Sequence, residues 1–290
     1  LAGALSLTTF VTGCNTKTNE AGSSSADATT KDAGEVAADT ENNQSVSKET
    51  NIPKYVFMFI GDGMSYPQVQ LTNYFVSANS QDNAKKVTVK DKEKTILESE
   101  SNLNMMSFPV MGSAQTYDST SFAPDSASTA TSIATGKKTW SGSINVSEDF
   151  SQTYETIAEK LKKQKDYKIG ILSSVNLNHA TPAAFYAHQE SRNNYYDIGL
   201  ELIDSNFDYF AGGALKQTTG KDKDKEDLYA LAEKAGYKVV KTQAEAEALK
   251  ASDGKAIVID EHLADGDAMS YEVDRQDNEW ALADYVEKGI

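Results

Sequence analysis

Ser126 is the side chain of this sequence best placed to act as a nucleophile. It follows Asp125 and opens a run of small residues that ends at Gly136, a pattern that predicts a helix beginning at Ser126. A helix N-terminus presents free N–H groups and the positive end of the helix dipole, which favour an anion such as phosphate. A serine hydroxyl needs a base or a metal ion to become a good nucleophile, and since no histidine is near in sequence, metal activation is the more natural hypothesis. The alternative is that Asp125 or Ser126 only caps the helix.

Asp62 is a candidate metal ligand. It stands between Gly61 and Gly63, directly after the apolar run of residues 55–60, which predicts a strand buried on both faces. A carboxylate at the carboxyl end of such a strand is open to a divalent cation. The alternative is an ordinary turn aspartate.

A third stretch, residues 178–192, follows another predicted strand. The Thr181 hydroxyl could cap a helix that opens at Pro182, or it could ligate magnesium. Arg192 is one of only two arginines in a lysine-rich chain, and its planar fork fits two phosphate oxygens. The alternatives are a surface ion pair for Arg192 and hydrogen-bonded structural roles for His179 and His188.

Alternating helix and strand patterns predict the scaffold that must position these side chains. Helices are predicted at residues 126–135, 154–163, 228–235, 244–249 and after an Asp277 cap; strands are predicted at 55–60, 167–172, 237–240 and 255–259. This alternation predicts an α/β fold with a mostly parallel central sheet flanked by helices. Ligand sites in such sheets lie beyond the carboxyl ends of the strands.

The composition excludes several other classes of protein. The 290 residues include 43 acidic and 28 basic side chains, giving a formal net charge of −15, so nucleic acid and anionic lipid are not expected as general partners. No run of 18 or more apolar residues is present, which excludes a spanning helix by sequence. A single cysteine, Cys14, excludes a disulfide framework and a cysteine-rich zinc site.

The N-terminal residues have the character of a targeting signal. Residues 1–14 combine a short apolar segment with small residues before Cys14, which resembles a truncated bacterial lipoprotein signal peptide with Cys14 as the lipidation site. Neither an initiator Met nor a basic segment precedes it, so the start looks trimmed. Residues 15–50 are polar and predict a disordered tether. The protein is therefore expected to be extracytoplasmic, at the cell surface or in the periplasm, with membrane contact only through the lipid anchor; the alternative is a plain cysteine.

Taken together, the three chemical stretches resemble the alkaline phosphatase family. They are Gly61-Asp62-Gly63 after its strand, Asp125-Ser126-Ala127-Ser128, and His179-Ala180-Thr181-Pro182 with Arg192, in this order. The resemblance identifies residues 51–290 as the N-terminal part of an alkaline phosphatase domain. It implies hydrolysis of small phosphate monoesters through a phosphoserine, with release of inorganic phosphate and two zinc ions and one magnesium ion as cofactors.

The resemblance also implies a role for each site residue. Ser126 is expected to be the nucleophile and a zinc ligand, Asp62 to bridge the zinc and magnesium sites, and Thr181 to ligate magnesium. Arg192 is expected to clamp the non-transferred phosphate oxygens, and Asp125 is expected to orient Arg192. His179 is expected to lie near the magnesium site. Family members carry Asp or His at the position of His179, so we expect it to alter magnesium affinity.

The zinc ligands that the family carries in its later part have no counterpart before Ile290. The resemblance therefore implies that the chain is a fragment with an incomplete sheet, and that residues 1–290 alone are catalytically inactive. A homodimer is a hypothesis that rests only on the resemblance. Rival interpretations are a sulfatase, a phosphodiesterase or pyrophosphatase, a lipid-anchored solute-binding protein, and an adhesion-type surface protein. A sulfatase is disfavoured because Ala127 to Ala130 lack the Pro and Arg of the sulfatase signature.

Overall fold

The computed structural model describes residues 53–79, 85–96 and 103–290. The chain divides into two compact units, Leu1–Phe57 and Met58–Ile290. The predicted signal segment with Cys14 and the predicted tether at residues 15–50 lie outside the described residues. Residues 53–57, the described part of the first unit, form no helix or strand. None of the helices in the described ranges is long and apolar enough to cross a bilayer.

The second unit alternates helices with strands. The α-helices among the described residues are α1 Tyr66–Asn79, α2 Ser126–Thr135, α3 Ile157–Lys165, α4 Ala180–Ala183, α5 Tyr195–Asp204, α6 Leu228–Lys234, α7 Gln243–Ala248 and α8 Leu282–Gly289. The strands are β1 Lys85–Val89, β2 Lys92–Ile96, β3 Gly170–Asn176, β4 Tyr209–Gly213, β5 Lys238–Val240 and β6 Ala256–Ile259.

A four-stranded parallel sheet in the order β3-β4-β6-β5 forms the centre of this unit, and β1 and β2 pair separately as an antiparallel hairpin. Successive side chains of a strand point to opposite faces, so the sheet carries a core on each side. Phe210 and Ile257 belong to the core that includes residues of α2, α4, α5 and α6. Ala211 and Val258 belong to the core that includes residues of α7 and α8. The predicted α/β class with a parallel sheet flanked by helices is confirmed.

Several predicted elements are confirmed with shifted ends. The predicted helix of small residues is α2, with Asp125 as its N-cap and Gly136 in the left-handed region at its C-terminus. The predictions at 228–235, 237–240, 244–249 and 255–259 correspond to α6, β5, α7 and β6. The helix predicted from residue 154 begins only at Ile157, because Thr156 and Glu159 form a capping box there.

Two predicted helix starts are wrong. Thr181 does not cap a helix, since α4 begins one residue earlier and the Thr181 hydroxyl donates to Asp62 instead. Asp277 does not cap the last helix, which begins at Leu282. The Asp284 carboxylate accepts the Ala281 N–H, so a side chain within the first turn satisfies this helix start.

The strand predicted at residues 55–60 is also wrong. These residues have no regular secondary structure, and their side chains are between 38% and 77% exposed. An apolar run becomes a buried strand only when a neighbouring strand pairs with its backbone, and the run itself does not contain that partner.

Gly212 allows β3 and β4 to approach each other closely at the end of the sheet that leads to the chemical residues. Its φ is +129°, and a Cβ there would lie 1.8 Å from the Ser173 carbonyl oxygen. Just beyond, the Asn176 side-chain amide donates to the carbonyls of Ala214 and Gly266, at 2.8 and 3.0 Å. This junction fixes the chain where β3 leads into α4.

Candidate active site

The N-terminus of α2 places Ser126 at an open helix end. The Asp125 carboxylate caps the helix by accepting the Ser128 N–H at 3.1 Å. The small side chains of Ala127 and Ala130 are buried against α4, which explains why this helix consists of small residues. Ser126, on the first turn, is half-buried, and its N–H lies among those that a helix cannot satisfy internally. The site therefore offers a hydroxyl beside the positive end of a helix dipole.

Asp62 joins this helix to the stretch that follows β3. The Ser126 hydroxyl donates to Asp62 Oδ1 at 3.0 Å, and the Thr181 hydroxyl donates to Asp62 Oδ2 at 2.7 Å. These residues are 64 and 119 positions apart in sequence, so only the fold brings them together. Asp62 itself is exposed at the turn that follows residues 58–60.

The chemistry of these donors fits a hard divalent cation. The Ser126 and Thr181 hydroxyls each lie within hydrogen-bonding distance of the Asp62 carboxylate, and we call these three side chains the oxygen cluster. Magnesium prefers oxygen ligands. A zinc site has about four ligands, often with nitrogen or sulfur among them. Asp62 and Ser126 could provide two oxygen ligands of such a site. Across residues 53–79, 85–96 and 103–290, no group of three or more His, Cys, Asp or Glu side chains could hold a metal ion.

Asp125 links the helix N-terminus to Arg192. Arg192 Nη1 donates to Asp125 Oδ2 at 2.8 Å, and both side chains are about a quarter exposed, at 22% and 27%. Burial would raise the pKa of Asp125, but hydrogen bonds from the Gly142 N–H, from Ser128 and from Arg192 lower it overall. Within the described part of the chain, the guanidinium makes this one hydrogen bond, so its remaining N–H groups are available to an anion.

Gly142 connects the same two residues through the backbone. Its N–H donates to the Asp125 carboxylate, and its carbonyl accepts the Arg192 N–H at 2.7 Å. Its φ of +86° lies in the region that favours glycine. Sequence reasoning missed Gly142, although its place between Ser141 and Ser143 is typical of a turn.

His179 lies beside the oxygen cluster but makes no ring hydrogen bond to it. Burial lowers the pKa of His179, and the positive charges of Arg192 and Lys216 lower it further against the opposing charge of Asp62. Its Nδ1 is buried without a hydrogen-bond partner among the described residues. The ring stacks on Tyr195 with 6.5 Å between centroids. An unsatisfied ring nitrogen here fits a role near a bound cation or its water ligands.

His188 has the hydrogen-bonded structural role that the sequence left open as an alternative. Its Nδ1 lies 3.1 Å from Glu201 of α5, and its Nε2 lies 3.5 Å from Glu159 of α3 and 3.2 Å from the Tyr154 carbonyl. Burial alone would lower its pKa, but the hydrogen bonds and charges of the two glutamates outweigh it and raise the pKa to about 9. This cluster fixes the chain between α4 and Arg192.

We expect the His188 cluster to make stability depend on pH. The folded-state pKa of about 9 exceeds the ordinary value of 6.5, so the stabilisation is complete below about pH 6.5 and is lost as pH rises through 9. The free energy of unfolding of the parent should fall by up to about 3 kcal/mol over this range relative to His188→Gln. Urea unfolding at several pH values measures it, with His262→Gln as the control that keeps the cluster intact. Parallel pH profiles for the parent and His188→Gln would contradict the prediction.

The structure therefore brings the sequence-predicted residues into two connected groups. Asp62, Ser126 and Thr181 form the oxygen cluster, Asp125 and Arg192 form the ion pair, and Ser126 follows Asp125 directly in the chain. Sequence reasoning missed Asp118, a buried carboxylate that accepts the Ser128 hydroxyl. The pattern Asp118-Ser119-Thr120-Ser121 is a recognisable signal for an Asx turn.

Comparisons with known proteins agree on one family. The family model for alkaline phosphatase matches residues 53–290. Alkaline phosphatase 4 of Bacillus subtilis is 28% identical over 264 residues, which cover 89% of this chain and 52% of the relative. The tissue-nonspecific alkaline phosphatase of Mus musculus is 31% identical over 156 residues, covering 51% of this chain and 27% of that protein. The chain thus spans about half the length, or less, of these curated relatives.

Solved structures give the same result. A cold-active alkaline phosphatase from a psychrophilic Shewanella species superposes with a TM-score of 0.61 at 25% identity, covering 79% of this chain and 50% of that one. A His-to-Asp mutant of the alkaline phosphatase from the Antarctic bacterium TAB5, with magnesium bound, has a TM-score of 0.52 at 28% identity, covering 69% of this chain and 51% of that one.

Proposed function

This chain belongs to the alkaline phosphatase family, and from that premise we propose that the protein containing it hydrolyses small phosphate monoesters through a phosphoserine formed on Ser126. The observation that carries the proposal is the convergence of a serine hydroxyl, a carboxylate and an arginine from distant parts of the chain. Ser126 contacts Asp62, and Asp125, its neighbour, contacts Arg192, which lies 67 positions away.

The geometry supports binding of a phosphate group above the N-terminus of α2. The free N–H groups of the first turn and the helix dipole attract its oxygens. Arg192 keeps one N–H on Asp125 and presents the others to two equatorial phosphate oxygens, which neither attack nor leave. Since Asp125 holds the guanidinium in place before substrate arrives, little ordering remains for the transition state.

The reaction then proceeds in two displacements at phosphorus. In the first, Ser126 Oγ forms a bond to phosphorus as the bond to the ester oxygen breaks; the Ser126 proton is released and the leaving alkoxide takes up a proton to depart as the alcohol. In the second, a water oxygen attacks phosphorus as the bond to Ser126 Oγ breaks, which releases inorganic phosphate and restores the serine hydroxyl. Arg192 and the helix N-terminus stabilise the equatorial oxygens in both steps.

The proposal includes two zinc ions and one magnesium ion, as the family resemblance implies. Asp62 and Thr181 would contribute to the magnesium site, and Asp62 and Ser126 would contribute two oxygens to the zinc ions. When bound, these cations supply Lewis-acid activation and neutralise charge on the attacking and leaving oxygens. His179, with its unsatisfied Nδ1, is proposed to act near the magnesium ion.

The proposed location is extracytoplasmic, with Cys14 acylated and residues 15–50 acting as a tether. The support is the sequence alone: the short apolar segment, the small residues before Cys14 and the absence of other cysteines. A homodimer belongs to the same set of proposals.

We expect chelation to remove the activity. EDTA treatment of the natural protein that contains these residues should lower aryl phosphate turnover at least about 100-fold, because the nucleophile then lacks its activator. Readdition of zinc and magnesium should restore turnover, measured as release of the aryl alcohol. Sodium chloride at equal ionic strength is the control. Saturable phosphate binding without turnover in the presence of both metals would favour a solute-binding protein and overturn the proposal.

A further inference from the structure

Asp118 is a buried carboxylate that collects hydrogen bonds from several directions. Only 5% of the residue is exposed. Its Oδ1 accepts the N–H groups of Thr120 at 2.7 Å and Ser121 at 2.6 Å, which closes a tight turn. Its Oδ2 accepts the hydroxyls of Ser128, at 2.8 Å, and of Ser141. The turn accounts for Oδ1 alone, so Oδ2 needs a separate explanation.

Through Ser128, Asp118 is connected to the ion pair of the candidate active site. The Ser128 hydroxyl lies 2.8 Å from Asp118 Oδ2 and 2.9 Å from Asp125 Oδ1, and it is buried. The hydroxyl has one proton, so when Asp118 accepts it, the bond from Ser128 to Asp125 Oδ1 is the one that the Ser128 backbone N–H donates at 3.1 Å. The other oxygen of Asp125 accepts Arg192 Nη1. A chain of hydrogen bonds therefore runs from Asp118 through Ser128 and Asp125 to Arg192.

Ser141 provides a second connection to the same place. It precedes Gly142, whose N–H donates to Asp125 and whose carbonyl accepts the Arg192 N–H at 2.7 Å. By accepting the Ser141 hydroxyl, Asp118 holds the turn that delivers this glycine. Asp118 Oδ2 is thus connected to Asp125 in two ways, through Ser128 on α2 and through Ser141 in the turn that contains Gly142.

The charge of Asp118 fixes which groups donate in these hydrogen bonds. Burial would raise its pKa, but hydrogen bonds from Ser141, the Thr120 N–H and Ser128 lower it to about 2. An ionised carboxylate accepts hydrogen bonds and cannot donate one, so Ser128 and Ser141 must both act as donors toward it. An asparagine side chain would put an NH₂ group in the place of one oxygen. There it would meet donors, either the Thr120 and Ser121 N–H groups or the Ser128 and Ser141 hydroxyls, so the network could not keep its present arrangement.

We propose that Asp118 is a positioning residue for phosphate binding, which sets the orientation of Asp125 and, through it, of Arg192 by way of Ser128 and the Ser141–Gly142 turn. This inference rests on the proposed function, since it assigns the orientation of the phosphate-binding arginine.

The test is Asp118→Asn in the natural protein that contains these residues. We expect kcat/KM for an aryl phosphate to fall by about tenfold or more, and the inhibition constant of inorganic phosphate to rise by a similar factor. A displaced guanidinium weakens the binding of the transition state and of inorganic phosphate alike. Asp149→Asn is the matched control. Asp149 closes a similar turn with Ser147 and Ser151, also with a pKa of about 2, but has no hydrogen bond to the active site among the described residues.

A double-mutant cycle separates positioning from general destabilisation. In an Arg192→Ala background, Asp118→Asn should have almost no further effect on the phosphate inhibition constant. Ser128→Ala, which keeps the turn at Asp118, should reproduce a large part of the effect, and it serves if Asp118→Asn does not fold. Additive effects in the cycle, or unchanged phosphate inhibition in both variants, would overturn the inference while leaving the proposed function standing. A parent without turnover would overturn the proposed function, and the inference with it.

Discussion

Replacing Ser126 with alanine should lower phosphomonoester turnover at least about 10⁴-fold, the largest effect that we expect from any single substitution. The change removes the oxygen to which the phosphoryl group is transferred, and no other hydroxyl occupies that place on α2. The Ser126 hydroxyl contacts only the exposed Asp62 in the described structure, so the fold should lose little. Turnover of an aryl phosphate and the melting temperature measure the two effects.

Ser132→Ala is the matched control for this experiment. Ser132 lies on the same helix and donates to the Ser128 carbonyl, so it reports on the helix without touching the site. Acid quenching of the parent during turnover should trap one phosphoryl group on Ser126, detectable by mass spectrometry of the peptide. Full turnover by Ser126→Ala, or an adduct on another residue, would contradict the phosphoserine mechanism.

Replacing Arg192 with alanine should lower kcat/KM by about 10²- to 10³-fold and weaken inhibition by inorganic phosphate. The guanidinium meets the same two phosphate oxygens in the bound substrate and in the transition state, so both measurements should respond. Arg192→Lys should recover only a small part of the loss, because an ammonium cannot hold Asp125 and also span two oxygens. Steady-state kinetics with phosphate as the competing ligand give both quantities.

The other arginine of the chain supplies the control. Arg275 is paired with Glu272 through two nitrogens and also donates to the Glu279 carbonyl, which is structural use of the same side chain. Arg275→Ala should leave the phosphate inhibition constant unchanged. If Arg192→Ala and Arg275→Ala gave equal, small losses, the assignment of Arg192 to phosphate would fail.

The two interpretations that the sequence left open for several residues turn out to be compatible. Asp125 caps α2 through one carboxylate oxygen and binds Arg192 through the other. Arg192 forms an ion pair, as the simpler interpretation predicted, yet that pair keeps most of its N–H groups available. A capping residue and an ion pair are therefore not evidence against a site when the same contacts prepare a guanidinium for an anion.

By itself, the sequence determined several of the elements and most of the candidate side chains. Small-residue spacing and Gly136 defined α2, and local patterns defined β5, β6 and their helices, because these features depend on neighbours a few positions away. The residues singled out at Asp62, Ser126, Thr181 and Arg192 do gather in the fold.

Only the tertiary structure decided how those residues meet and which unsuspected ones support them. Residues 55–60 have the apolar pattern of a strand, but strand pairing depends on a distant partner that the pattern cannot contain. Gly142 and Asp118 are ordinary turn residues in sequence, and their contacts with Asp125 and Ser128 arise from the packing of loops around the start of α2. Hydrogen bonds between residues far apart in the chain depend on how the elements pack against one another. A short motif does not contain the positions of those distant elements, so it cannot predict such bonds.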